Sequence, residues 1–537
     1  MKRFALAFAV FLLCSFGASL ADEGHHHEDL TTDQLGTVHF PVSCAPAVQK
    51  PFERGVALLH SFWYEEAEKE FQDIAKNDPQ CAMAHWGIAM SAWHQLWNHP
   101  DADTVKRGQA EVKTAKSLHP KTHRERDYIA AMDALYRGNN REYHDRANAY
   151  STAMDTAYQR YPDDREAAAF YALSLLASEP DNDTTFANRK QAAAILEKLF
   201  AVEPDHPGIA HYLIHSYDKP QLAELGLPAA RRYAAIAPAA PHALHMPSHI
   251  FARLGLWQDD IDSNLASIAA TRKTAAMHMG GEGHQFHAMD FLVYAYMQSG
   301  READAQKVIE EVKAMPTMKS NMYGTDFDPR TDALVTLSAR YVLEMHHWAD
   351  ATSLPQIPEA ETGDSAIVYW ARAIGAARTG NVAQTRKDVA EIESIHATLL
   401  KQKKKYFAEA VDQDYQEAAA WLAHAEGNND EAIKTLRAIA EKEEAEGDEP
   451  LAIPAREMLA DMMLDMNRPE QALAEYEADL KFNPNRFNGL YGAARAAEMA
   501  GKSDKSNTYY ARLVKICSGS NSDRPELSHA KALVAQK

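Results

Sequence analysis

The chain has 537 residues, of which 46% are hydrophobic and 25% charged, a composition typical of folded domains rather than of large-scale disorder. Its 76 acidic residues outnumber its 56 basic residues and give a formal net charge of −20. Because such a surface repels phosphate backbones and no large basic stripe offsets it, we expect no nucleic-acid partner.

The first residues have the features of an export signal. Lys2 and Arg3 precede an apolar run over residues 4–13, and small side chains within residues 19–21 offer a cleavage site. The run is shorter than the ~20 residues that span a bilayer, which makes an uncleaved membrane anchor the weaker alternative. We therefore expect residues 1–21 to be a signal peptide and the mature chain to be periplasmic or secreted, without a transmembrane segment.

Residues 22–47 are predicted to form a flexible leader. Three histidines at 25–27 could collect copper, nickel or zinc loosely, or they could belong to a simple polar leader. Cys44 stands before the first predicted hairpin, and Cys81 follows the proline that ends it. Antiparallel helices bring these two ends together, so a disulfide fits an exported chain and leaves Cys517 unpaired; three reduced cysteines remain the alternative.

One spacing recurs three times: a small residue, a large apolar residue four positions later, and a proline eight positions after that. The copies are Ala67, Phe71 and Pro79; Ala192, Leu196 and Pro204; and Ala472, Tyr476 and Pro484. A stacked helical hairpin needs such a small contact residue and a proline that ends its second helix. In these residues the chain resembles the tetratricopeptide repeat (TPR) family. The resemblance implies an all-α, right-handed superhelical solenoid of about a dozen TPR-like hairpins with a concave binding surface, and it implies no reaction.

The same register divides the rest of the chain. We predict a first array with a histidine-rich groove over 48–315, a connecting insertion over 316–330, a second array over 331–517 and a tail over 518–537. Unit boundaries are marked by prolines and by inter-helix glycines, at Pro120, Pro162, Pro204, Pro238, Gly255, Gly300, Gly380 and Gly427. Residues 271–285 lengthen one connection and are either part of a functional face or a tolerated loop.

Histidine is the residue type that points to chemistry. The chain has no Walker-type loop, no G-x-S-x-G, no H-E-x-x-H and no paired C-x-x-C motif. By contrast, nine of its 25 histidines fall within a short stretch: His206, His211, His215, His242, His245, His249, His278, His284 and His287.

Six of these histidines fall at positions that face the concave groove in TPR proteins, in the register set by Pro238, Gly255 and Gly300. They are His211 and His215 in one unit, His242, His245 and His249 in the next, and His287 in the third. The resemblance therefore implies six imidazoles facing one space. Helix periodicity predicts the same stripes, since residues three or four apart share a face and neighbouring helices lie roughly 8–10 Å apart.

Three or four neutral imidazoles form a site suited to a transition metal, namely Zn, Cu, Ni or ferrous Fe. Asp290 occupies the groove-facing place of the third unit and is predicted to be a ligand or the acceptor that fixes a histidine tautomer; Glu282 is a further carboxylate. The predicted metal residues are His211, His215, His242, His245, His249, His287 and Asp290. For isolated histidines such as His60 we expect hydrogen-bonded surface or core roles.

We therefore predict an exported, bacterial-type TPR binding protein whose groove carries a multi-histidine transition-metal site. One alternative is a scaffold that binds a peptide, protein or small ligand in the groove without metal. Another is a metal-dependent enzyme, in which an open coordination position activates water or oxygen and Asp290, Asp218 or Glu282 acts as the base.

Overall fold

A computed structural model describes residues 30–535, except 95, 97–99, 140, 182, 278, 280–282, 323–324, 359, 361, 448–450 and 521. In this part of the chain nearly all regular structure is α-helical, and consecutive helices pair as hairpins that stack side by side. The predicted all-α helical-repeat solenoid is confirmed. Within these residues, no helix combines the length and the apolar character needed to cross a membrane.

The first array opens with a short helix and a 3₁₀ turn at Pro46–Val48. Its helices are α1 (Thr32–Leu35), α2 (Gln49–His60), α3 (Tyr64–Asn77), α4 (Ala82–Ser91), α5 (Ala102–Ser117), α6 (His123–Tyr136), α7 (Tyr143–Arg160), α8 (Arg165–Ala177), α9 (Ala187–Phe200), α10 (Pro207–Tyr217), α11 (Ala223–Ile236), α12 (Pro241–His245), α13 (Pro247–Arg253), α14 (Trp257–Ala276), α15 (His284–Gln298) and α16 (Glu302–Ala314).

Two short antiparallel strands, β1 (Ser320–Met322) and β2 (Thr325–Phe327), lie in the predicted connecting insertion. The helices of the second array are α17 (Pro329–Glu344), α18 (Trp348–Thr352), α19 (Thr362–Arg378), α20 (Val382–Lys401), α21 (Lys405–Ala425), α22 (Asn429–Glu446), α23 (Ala455–Asp465), α24 (Pro469–Phe482), α25 (Phe487–Met499), α26 (Ser503–Ile516) and α27 (Pro525–Ala535). The last of these falls within the predicted tail, and its Leu527 and Ala530 are buried.

The recurring spacing marks close contacts between helices. Ala67 and Phe71 of α3 are fully buried, as are Ala472 and Tyr476 of α24. A Cβ atom on Gly492 would lie 2.2 Å from the ring of Tyr476, so glycine is what lets α25 approach α24 this closely. The second helices of these units end two to four residues before the marker prolines, as the sequence predicts.

Part of the predicted leader packs against the first array. The sequence predicts a flexible segment over 22–47, but in the described part Leu35 and Phe40 are buried against the first array. The ring of Phe40 lies edge-on to those of Phe52 and Trp86, at centroid distances of 5.3 and 5.4 Å. Burial of these apolar side chains stabilises the segment against the first hairpins. The predicted signal peptide and the three histidines at 25–27 lie outside the described residues.

The cysteines lie as the sequence suggested. The Sγ atoms of Cys44 and Cys81 are bonded at 2.07 Å, and they join the end of the leader to the start of α4. Cys517 is a buried free thiol at the end of α26.

The second array folds back onto the middle of the chain. Lys219 Nζ donates to the carbonyl oxygens of Glu446 and Gly447 at 2.7 and 2.9 Å. Gly255 has a φ of +62°, and a Cβ atom there would lie 2.1 Å from the carbonyl oxygen of Pro484. These contacts lie beside the helices that carry the predicted metal residues.

Candidate metal centre

Four helices of the first array bring the predicted histidines together. His211 and His215 lie one turn apart on α10, and His287 lies in the first turn of α15. His242, His245 and His249 lie on a segment that is divided into α12 and α13 at Pro247, because proline cannot donate the backbone hydrogen bond of a continuous helix. Met246 nevertheless keeps helical angles, with φ −52° and ψ −33°. Side chains from α12 and α13 therefore still point into one space.

The first group of imidazoles, here called triad A, consists of His211, His215 and His242. One nitrogen from each ring lies within 4.8 Å of the others. His211 Nε2 is 3.0 Å from His215 Nε2 and 3.1 Å from His242 Nε2.

The second group, triad B, consists of His245, His249 and His287. Its nitrogens also lie within 4.8 Å of one another, and His245 Nε2 is 3.1 Å from His249 Nε2. The ring centroid of His287 is 4.6 Å from that of His245 and 5.5 Å from that of His249. His287 is the solvent-exposed member of the triad.

Oxygen acceptors fix the tautomers of three of these rings. His211 Nδ1 donates to the carbonyl oxygen of His60 at 2.6 Å, and His245 Nδ1 donates to Asn264 Oδ1 at 2.7 Å. His249 Nδ1 donates to Asp218 Oδ2 at 2.8 Å. A neutral ring that carries its proton on Nδ1 presents a lone pair at Nε2, so all three Nε2 atoms are available as metal ligands.

The acceptors are themselves held in place. Asn264 Nδ2 donates to Asp260 Oδ1 at 2.7 Å, which turns the amide oxygen of Asn264 towards His245. Arg253 Nε donates to Asp218 Oδ1 at 3.0 Å. Burial alone would raise the pKa of Asp218, but Arg253 and His249 hold that pKa well below its ordinary value. The acceptor of His249 is therefore an ionised carboxylate.

Burial keeps the imidazoles neutral. It lowers the pKa of His211 from 6.5 to about 3, against the hydrogen bond to the carbonyl of His60, which raises it. Burial together with neighbouring imidazoles lowers the pKa values of His215, His242 and His245 well below 6.5. Neutral imidazole is the form that binds a metal ion.

The Nε2 atoms face one another at a separation suited to a shared ion. The Nδ1 atoms of His245 and His249 both face oxygen acceptors, and their Nε2 atoms face each other across 3.1 Å. Two imidazole nitrogens bonded to one ion at about 2.0–2.1 Å lie about 2.9 Å apart at a right angle and about 3.3 Å apart at a tetrahedral angle. The observed distance falls between these values, so both nitrogens could bond one cation.

Each triad has a phenylalanine beside it. The buried ring of Phe62 lies 4.3 Å from His211 and 5.6 Å from His242 in triad A. In triad B the buried ring of Phe291 lies 4.7 Å from His249 and 5.2 Å from His287. Such apolar side chains limit access of water to the imidazoles and lower the local dielectric.

The predicted carboxylate ligand lies elsewhere. Asp290 forms an ion pair with Arg340 of α17, and its oxygens are not grouped with the imidazole nitrogens. Glu282 and His278 lie outside the described residues. Asp218 is a catalytic base in the enzyme alternative that the sequence suggests. Its carboxylate accepts hydrogen bonds from His249 and Arg253.

Some of the surrounding residues were not selected from the sequence. His284 has its ring centroid 5.6 Å from that of His242, which extends the histidine group on the side of triad A. Asn264 and the carbonyl of His60 are further additions. Asn264 is an ordinary polar residue of α14 and gives no distinctive sequence signal. The backbone carbonyl of His60 gives no sequence signal at all.

A third histidine group in the same region has a different character. His60 Nε2 and His206 Nε2 donate to the two oxygens of Glu166 at 2.8 and 2.9 Å. The other ring nitrogens are bonded too, to the Tyr212 hydroxyl at 2.8 Å and the Ile209 amide at 3.3 Å. Every nitrogen thus has a proton-sharing partner, which is the hydrogen-bonded role expected for His60.

Similarity to known proteins is found among solved structures. No family model matches the chain, and no curated protein matches its sequence. The human IFIT1 dimer with m7Gppp-AAAA is 12% identical, covers 86% of this chain and 94% of its own, and has a TM-score of 0.35. An IFIT1 monomeric mutant with Gppp-AAAA is 12% identical, with coverage of 92% and 100% and a TM-score of 0.35.

The structure of Naa15/Naa10 bound to HypK-THB is also similar, at 10% identity. It covers 90% of this chain and 91% of its own, with a TM-score of 0.23. Likeness at these scores carries no inference about what this chain binds.

Proposed function

We propose that this chain is an exported TPR-like binding protein that holds transition-metal ions with its groove histidines. The main support is that the Nε2 atoms of His245 and His249 face each other across 3.1 Å while both Nδ1 atoms are committed to oxygen acceptors. The group around Glu166 provides the internal contrast, because there both Nε2 atoms face carboxylate oxygens instead of another imidazole nitrogen.

The ligand chemistry favours Zn, Cu, Ni or Fe. Neutral imidazoles are borderline ligands that select late first-row metals over Mg or Ca. The proposed ligands are His211, His215, His242, His245, His249 and His287, and Asp290 is left out because Arg340 occupies it.

Export is the second part of the proposal. It rests on Lys2 and Arg3, on the apolar run over 4–13 and on the small residues within 19–21. A disulfide between Cys44 and Cys81 suits an oxidising compartment such as the periplasm or the extracellular space. The net charge of −20 supports the further expectation that nucleic acid is not the partner.

A metal-dependent enzyme is a second candidate, and the number of ligands favours it. Catalytic metal sites keep three protein ligands and leave a position open, whereas structural sites close the coordination sphere with four. Each triad offers three imidazoles, and the exposed His287 leaves triad B accessible from solvent. A scaffold that binds peptides without metal has no comparable support from the arrangement of the histidines.

The test is elemental analysis of the mature chain purified without an affinity tag. Histidines 25–27 are replaced by alanine in every sample, so that loose binding by the leader does not contribute. We expect stoichiometric metal, lost in the double variant His211→Ala and His245→Ala. The control is the double variant His39→Ala and His347→Ala, whose side chains are 80% and 45% exposed. A chain without metal, or a groove variant that keeps all of it, would contradict the proposal.

A further inference from the structure

The six histidines fall into two groups of three. Within each triad one nitrogen per ring lies within 4.8 Å of the others, and no histidine belongs to both sets. Triad A is built by α10 and α12, and triad B by α12, α13 and α15. Three imidazoles are the protein ligands of a complete open metal site, so neither triad needs the other to bind an ion.

Each triad has its own supporting residues. Triad A is positioned by the carbonyl of His60 and is flanked by Phe62. Triad B is positioned by Asn264 and Asp218 and is flanked by Phe291. A single site with three unused histidines nearby would not require this duplication, because a residue that orients a ligand supports only the ligand that it touches.

The two triads are immediate neighbours. His242 and His245 lie three residues apart on α12, and their ring centroids are 6.2 Å apart. On the other side, His215 and His249 approach across the gap between α10 and α13, with centroids 6.5 Å apart. Ions held by the facing nitrogens of such rings would be close enough to share a ligand, as in two-metal sites with ions about 3.5–4 Å apart.

We propose that the two triads bind two ions, one each, as a single paired centre. This inference rests on the proposed metal binding and extends it. Imidazole ligands bring no negative charge, so two divalent ions would carry charge that they do not balance. The ionised carboxylate of Asp218 is already bonded to His249 and Arg253. A small anion of the hydroxide class, bridging the open positions of both ions, therefore completes the centre.

Copper titration tests the number of ions. The probe is Cu(II), added to the full mature chain with histidines 25–27 replaced by alanine and followed by dialysis and elemental analysis. We expect two ions per chain, one in His215→Ala and one in His287→Ala, and none when both substitutions are combined. Thermal unfolding of each variant verifies that it is folded.

The outcomes separate the two proposals. One ion in the unsubstituted chain, or loss of both ions from either single variant, would overturn the paired centre and leave metal binding intact. If no ion is bound in any sample, both proposals fail. Retention of two ions in a single variant would also overturn the assignment of one ion to each triad.

Electron paramagnetic resonance tests the pairing itself. Two bridged Cu(II) ions couple magnetically, so the fully loaded chain should give a signal well below that of two isolated spins. His215→Ala, which retains only the ion of triad B, should recover the full signal of one spin per chain. Two bound ions with the undiminished signal of two isolated spins would overturn the bridge.

Discussion

The carboxylate of Asp218 accepts the Nδ1–H of His249 at 2.8 Å and is held on its other oxygen by Arg253 at 3.0 Å. This pair fixes the tautomer of His249, and with it the direction of the Nε2 lone pair. Asp218 immediately precedes Lys219, which contacts the second array. It therefore links the groove histidines to that array.

We expect Asp218→Asn to weaken metal binding at triad B by about 10- to 100-fold, the usual effect of losing a residue that orients a metal ligand through a hydrogen bond. The amide can still accept a hydrogen bond, but it no longer raises the basicity of His249 with its charge. Zinc competition against a chromophoric chelator measures the change. Asp350→Asn is the matched control, because Asp350 contacts the exposed His347 at 3.7 Å, away from both triads. Equal zinc affinities for the two variants would contradict the role of Asp218.

The metal-free chain should lose stability as pH falls from about 6.5 towards 3. Burial lowers the pKa of His211 to about 3 in the folded chain, so between these values the unfolded chain binds more protons. In this pH window each such histidine lowers the free energy of unfolding by up to about 1.4 kcal/mol per pH unit, and above the window it has no effect. Melting temperatures at pH 7.5, 6.5 and 5.5 check this, and His211→Asn should have the shallower dependence. Identical slopes would show that His211 does not titrate as described.

We expect Glu166→Gln to destabilise the fold without changing the metal content. Burial would raise the pKa of Glu166, but His206 and His60 keep it well below its ordinary value, so the group is a buried carboxylate with two imidazole partners. A hydrogen bond to a charged group typically contributes about 1.5–3 kcal/mol. Glu111→Gln, which removes a partly exposed partner of His85, should cost less than about 1 kcal/mol. Loss of bound metal from a folded Glu166→Gln chain would mean that this group is a metal site after all.

Gly255→Ala should destabilise the chain by clearly more than Gly427→Ala. Both glycines have positive φ, +62° and +85°, so both substitutions carry the cost of about 1–2 kcal/mol for a left-handed residue. Only at Gly255 would the new Cβ atom also meet the carbonyl oxygen of Pro484, and overpacking adds about 1–3 kcal/mol. Melting temperatures of the two variants compare them directly. Equal losses would indicate that the contact between the arrays is not maintained in solution.

The fold could be predicted because its signals are local. The prolines that end second helices and the glycines that turn between helices act through backbone geometry, which neighbouring residues do not change. Burial of Ala67, Phe71 and Tyr476 followed from the same spacing. The packed leader was missed because its apolar residues, such as Phe40, are spaced without helical or strand periodicity and are buried only by the hairpins they meet.

The site was predictable in its residues more than in its arrangement. Helical register placed six histidines towards one groove, but it does not show that His242 and His245, three residues apart on α12, join different triads. The pairing of Asp290 with Arg340 joins residues 50 positions apart, and no pattern within one repeat reveals such a partner.

Because the second array contacts Lys219, the geometry of the histidine groove depends on both arrays. The backbone carbonyls of Glu446 and Gly447 accept hydrogen bonds from Lys219, the residue after Asp218. The second array therefore helps to position the carboxylate that bonds His249. Excising the N-terminal hairpins as an independent module would therefore remove that contact, even though every ligand would be retained.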